Sequence, residues 1–100
     1  FSKETEKVEN LLTEISKDGK AQYGLQQINN AVKMGAVSEL LVTDDLIRKK
    51  RMDDTFNQIE YLMRNVEKMQ GKIHIISSEH EAGKKLDGLG GVGAILRYNI

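Results

Sequence analysis

His80 stands between Glu79 and Glu81, directly after Ser77 and Ser78, and no other short run holds so many groups able to move protons or bind a metal. The spacing supports neither chemistry. Side chains at successive helical positions leave the axis in different directions, so these neighbours cannot converge on one ion or one substrate. Ser78 followed three residues later by Glu81 instead matches a capping box, in which serine and glutamate each satisfy an orphan amide at a helix start. His80 is then a polar residue of the first turn. The second histidine, His74, alternates with Ile73 and Ile75 on an expected strand and faces away from them, as an edge or half-buried residue. Two histidines on different elements, with no cysteine, support neither nucleophilic catalysis nor a zinc site. The chain therefore reads as non-enzymatic, with no catalytic residue, metal or cofactor.

Two further patterns carry possible chemistry. Gly88-Leu89-Gly90-Gly91-Val92-Gly93 satisfies G-x-G-x-x-G letter for letter. A dinucleotide fingerprint must follow a strand and open a helix, so that the pyrophosphate meets the helix N-terminus. Here the expected helix comes first and the strand after, which leaves a tight turn and no phosphate cradle. Arg48-Lys49-Lys50-Arg51 is the one local cluster of charge. Runs of this kind are commonly solvated faces. Asp44, Asp45, Asp53 and Asp54 flank it within about one Debye length, roughly 8 Å, and weaken its field. That favours contact with a protein over contact with an RNA backbone.

Alternating elements must position these groups. Ser2 can cap a first helix whose apolar residues Val8, Leu11, Leu12 and Ile15 fall at i, i+3, i+4, i+7, and Asp18-Gly19 stops it. A short edge strand over 20–23 precedes a helix with Ile28, Ala31 and Val32 on one face, closed by Gly35. The nearly continuous apolar run over 37–43 predicts a strand covered on both sides. Residues 44–52 read as a helical turn and loop, and Asp53 or Asp54 as the cap of the longest helix, with its stripe of Phe56, Ile59, Leu62, Met63, Val66 and Met69. Gly71 ends that helix before a second buried strand over 73–76, a short helix runs from Ser78 to about Leu86, and a glycine-rich turn enters a last strand over 94–99. The order predicts an α/β fold, a three-layer α/β/α sandwich with a mixed central sheet, in which Leu41 and Ile75 belong to the core.

Composition sets the remaining bounds. One hundred residues make a single domain, 1–100, expected to fold alone as a monomer. Fifteen basic and fifteen acidic residues cancel, so no global field draws the chain to nucleic acid or membrane. No apolar run approaches the roughly 20 residues of a membrane helix. The start at Phe1, without an initiator methionine, reads as a fragment of a longer protein.

A fixed order of segments carries a family resemblance. Tyr23-Gly24 opens a helical stretch that closes at Gly35-Ala36-Val37. Leu40-Leu41-Val42-Thr43 and Asp44-Asp45-Leu46 follow, then Ile76-Ser77-Ser78-Glu79-His80-Glu81-Ala82-Gly83, and last Leu89-Gly90-Gly91-Val92-Gly93-Ala94-Ile95-Leu96-Arg97-Tyr98. Together they resemble the C-terminal domain of archaeal Pelota, a ribosome-rescue relative of class-one release factors, over nearly the whole chain. Release factors share the scaffold but insert a mini-domain after the first central strand, often with zinc-binding cysteines in archaea. Only residues 47–53 stand there in this chain, without cysteine.

The scaffold is also similar to that of ribosomal proteins that bind kink-turn RNA. Those proteins read guanine edges with an Asn-Glu pair and meet phosphate with a lysine. This chain has Gln26-Gln27 and Asn30 at the matching positions, so both charged groups are gone and RNA binding of that class is the weaker alternative.

The Pelota resemblance implies a cytoplasmic protein-interaction module in ribosome rescue, mRNA surveillance and recycling. It would dock on a translational GTPase of the elongation-factor family and then on the recycling ABC ATPase, reaching the ribosome through the full-length protein. Any nuclease activity proposed for the family would lie on its N-terminal domain. The candidate docking residues are Asp44, Asp45, Arg48, Lys49, Arg51, Ser78, Glu79 and His80. If the strands ending at Val42 and Ile76 are parallel neighbours, both loops open on one edge of the sheet, where α/β folds place binding groups.

Overall fold

The computed structural model describes residues 2–99, apart from the side chain of Ser2, so the capping expected of Ser2 lies outside the described residues. The elements run α1 (Ser2–Ser16), β1 (Ala21–Tyr23), α2 (Leu25–Lys33), β2 (Val37–Thr43), α3 (Asp44–Met52), α4 (Phe56–Lys68), β3 (Lys72–Ile76), α5 (Glu81–Asp87) and β4 (Val92–Leu96). The sheet order is β1-β4-β2-β3; β2 and β3 are parallel, and β4 runs antiparallel to both of its neighbours.

Strand geometry divides the apolar residues of β2 between two cores. Leu40 and Leu41 point to opposite faces, and both are fully buried. Leu40 and Val42 meet Ile28 and Val32 of α2 and Ile59 and Leu62 of α4. Leu41 joins Ile76, Val8 and Leu11 of α1, and Ala82 and Leu86 of α5. The result is the expected three-layer sandwich, with α1 and α5 on one face and α2 and α4 on the other.

Five local expectations need correction. Residues 44–52 form a nine-residue helix rather than a turn and loop. Its apolar content is low because none of its residues is fully buried, but its ends are well specified. Thr43 Oγ1 accepts the Leu46 amide at 3.1 Å, acids occupy the first turn and bases the last, each sign matching the helix dipole. Asp53 and Asp54 accordingly close α3 instead of capping α4, whose N-cap Thr55 makes no side-chain cap bond. The longest helix is α1, with 15 residues against 13 in α4. Strand β3 lies at the sheet edge, and Ile75 is 46% exposed, so neither is buried as expected. Finally, β4 begins at Val92, two residues early, and ends at Leu96.

Helix α2 ends as the sequence predicts: Gly35 has φ 68°, and the Gly35 and Ala36 amides return to Val32 and Ala31. Helix α4 uses the same closure with Gln70 at the left-handed position, φ 64°. Gly71 instead permits close packing, since a Cβ there would lie 2.8 Å from Val66 Cγ1 and 3.0 Å from two backbone oxygens of β2. Gln70→Gly is therefore expected to raise stability by about 0.5–1 kcal/mol, read as a higher urea midpoint, while Gly71→Ala lowers it.

Candidate partner-docking edge of the sheet

The parallel register places Thr43 beside Ile76, so the segments that follow β2 and β3 emerge together. The Ser78 amide donates to Asp44 Oδ1 at 2.9 Å and joins the start of α3 to the segment before α5. That amide is the main cause holding the Asp44 carboxyl below its ordinary range, against the opposing effect of burial. Ser78 itself is buried; its amide makes the larger contribution to Asp44, and its hydroxyl, close by but without a hydrogen bond of good geometry, the smaller one. The expected capping box is absent: His80 occupies the N-cap of α5 without a side-chain cap bond, and Glu81 is the first helical residue.

His80 acts as a strut. Its Nε2 lies 2.8 Å from Glu4 Oε1 of α1, and the same oxygen accepts the Ser77 amide at 2.8 Å. The His80 contact, then the Ser77 amide, lower the Glu4 pKa. Only 13% of the His80 side chain is exposed, so most of its ring is covered by the fold itself. Glu79 is exposed.

The basic run divides. Arg48 pairs with Asp45 and reaches Asp44 at 3.9 Å. Lys50 donates to Gln58 at 2.9 Å, and the Arg51 guanidinium stacks 4.2 Å from the centre of the Phe56 ring. Lys49 is exposed and has no ion pair among the described residues. Asp44, Asp45, Arg48 and Ser78 thus form one connected group beside Glu79 and His80, whereas Arg51 is drawn to α4. The edge offers carboxylates, a forked cation and a free ammonium, a set suited to docking a mixed-charge surface.

Thr43 was not foreseen at this edge. Its Oγ1 donates to Asp87 Oδ1 at 2.6 Å while accepting the Leu46 amide, and its own amide donates to Gly91 O at 2.9 Å. A threonine just before Asp44-Asp45 is an N-cap signal that could have marked it. The partnership of Glu4 with residues 77 and 80 has no local signal, being more than 70 positions away.

His74 lies on the edge strand as expected, with Nε2 2.8 Å from Glu39 Oε1, which also accepts from Lys7 Nζ at 2.8 Å. Burial pushes the Glu39 pKa up, but Lys7 and His74 more than offset it, and the net shift is downward. Glu4, Glu39 and Asp44 are therefore all easier to ionise in the folded state. Such groups stabilise the fold above their ordinary pKa, and that contribution is lost as pH falls through the lowered value. Urea midpoints are expected to hold from pH 7 to about 5 and drop below about 4, with a shallower drop in Glu39→Gln. A midpoint flat down to pH 3 would contradict this.

Among the described residues no group of three or more acidic, histidine or cysteine side chains converges to hold a metal ion. No described helix is long and apolar enough to cross a membrane.

Comparison with known proteins gives a consistent pattern. Residues 1–100 match the family described as eRF1 domain 3. A Pelota homolog of Methanococcus maripaludis is 48% identical over 100 residues, all of this chain and 27% of that protein. The structure of S. cerevisiae Dom34, described as a translation termination-like factor in RNA quality control pathways that interacts with Hbs1, superposes with a TM-score of 0.91. It is 34% identical and covers 99% of this chain and 28% of that one. Ribosome-bound archaeal Pelota, determined with ABCE1, superposes with a TM-score of 0.83 at 39% identity, over 98% of this chain and 27% of that one. The chain thus spans about a quarter of the relatives it matches.

Proposed function

The chain belongs to the eRF1 domain 3 family, and from that membership we propose that it is the C-terminal, partner-docking domain of a ribosome-rescue factor of the Pelota kind. The partner classes, a translational GTPase and the recycling ABC ATPase, are those the family resemblance implies; in support, Dom34 is described as interacting with Hbs1, and archaeal Pelota as ribosome-bound with ABCE1. The domain works by binding, in the cytoplasm, and brings no catalytic group of its own. The ribosome is reached through the rest of the protein.

The observation that carries the docking site is the bond from the Ser78 amide to Asp44 Oδ1, which ties the start of α3 to the segment before α5. Arg48 and Arg51 supply planar, forked donors for carboxylates on the GTPase, and Lys49 adds a point charge. A docking carboxylate would compete with Asp45 for Arg48, so the contact is electrostatic and sensitive to salt. In calorimetric titration with the GTPase, Arg48→Ala with Arg51→Ala is expected to weaken binding about tenfold or more at low salt, with less difference at high salt. Unchanged affinity, with the fold intact by circular dichroism, would move the GTPase site elsewhere on the domain.

A further inference from the structure

We propose that the first turn of α1 is a latch for the docking edge, with Glu4 as its positioning residue, a role that rests on the GTPase binding at that edge. Docked, the turn holds residues 77–80 in the shape the partner meets. Unwound, it releases them, and docking weakens.

The segment before α5 is held between two carboxylates from different helices. Glu4 Oε1 of α1 accepts the Ser77 amide at 2.8 Å, and Asp44 Oδ1 of α3 accepts the Ser78 amide at 2.9 Å. The same Glu4 oxygen lies 2.8 Å from His80 Nε2, so one side chain grips the segment at two points. Asp44 belongs to the docking edge itself, whereas Glu4 reaches it from outside.

The turn that carries Glu4 is fastened more weakly than the rest of its helix. From Lys7 onward α1 is anchored by buried Val8 and Leu11, by Lys7 on Glu39 at 2.8 Å and by Glu9 on Lys85 at 3.1 Å. Lys3, Thr5 and Glu6 are exposed, and none of residues 3–6 belongs to either core. Among the described residues, Glu4 is the one side chain of that turn with a hydrogen bond or ion pair. Helix ends fray readily where little apolar surface is buried. Unwinding this turn therefore opens no core, yet it withdraws the acceptor from the Ser77 amide and from His80. The coupling is reciprocal: a partner that fixes residues 77–80 also favours the docked turn.

The test first reads amide exchange in the free chain, where no partner is needed. Glu4→Ala is expected to speed exchange at residues 77–80 about tenfold, through a local opening that added urea does not accelerate. Glu4→Gln keeps an oxygen acceptor without the charge and should restore part of the protection. Thr5→Gly with Glu6→Gly leaves Glu4 in place but weakens the turn, and should speed the same exchange about fivefold. Glu9→Gln removes an α1 carboxylate that pairs with Lys85 and should add no local opening at residues 77–80. In calorimetric titration with the GTPase, Glu4→Ala should weaken binding about three- to tenfold, and Glu9→Gln should leave it unchanged. Exchange at residues 77–80 that is unaltered in Glu4→Ala, or faster only in the urea-accelerated component, overturns the latch whatever the GTPase does. Faster local exchange with unchanged affinity overturns its control of docking. Arg48→Ala with Arg51→Ala then separates the causes: weakened binding there keeps the docking edge and removes only the latch, and normal binding removes the edge as well.

Discussion

Gly83→Ala is expected to destabilise the domain by at least about 3 kcal/mol, enough to unfold much of a chain of ordinary marginal stability. A Cβ at residue 83 would stand 1.8 Å from the Ser77 carbonyl oxygen and 2.6 Å from its carbon. Neither atom belongs to a flexible side-chain end. The Ser77 and Ser78 amides are held by Glu4 and Asp44, so the segment cannot retreat without breaking those bonds. Helix α5 would have to lift instead, uncovering Ala82 and Leu86. Gly88→Ala is the matched control, since residue 88 has ordinary helical angles, φ −63° and ψ −19°, and should cost no more than about 1 kcal/mol. Urea denaturation followed by circular dichroism separates the two. Equal midpoints for Gly83→Ala and the unchanged chain would show that α5 does not pack on residues 77 and 78.

Leu41→Ala should cost about 2–5 kcal/mol, because Leu41 is fully buried between α1, α5 and the sheet, and a cavity would remain. Ile75→Ala should cost less than about 1 kcal/mol, although the two residues look alike in sequence. Ile75 is 46% exposed on the edge strand and loses little contact when truncated. A similar thermal shift for both would mean that Ile75 is as well covered as Leu41.

The contrast between Leu41 and Ile75 shows where sequence reading stops. Both lie in short apolar runs, and such a run predicts a strand but not its place in the sheet. Position depends on the crossover that sets β4, not β3, between β2 and β1, and no local pattern encodes it. Helix α2 was legible because Ile28, Ala31, Val32 and Gly35 satisfy both period and cap. Helix α3 was not, since its stability rests on Thr43 and charge placement rather than an apolar stripe. Of the candidate docking residues, the shared edge of Asp44 and Ser78 followed from two strands assumed parallel, and that pairing is present. The role of His80 was missed because its partner, Glu4, comes from the other end of the chain.

The proposed docking surface is tested most directly by an amide-exchange footprint of the chain with the proposed GTPase partner. Binding through α3 and the joined segment before α5 should slow exchange in residues 44–51 and 77–81 and leave β3 and the α2–α4 face unchanged. Protection confined to β3, to α4 or to the last strand, with residues 44–51 and 77–81 exchanging as in the free chain, would contradict the account.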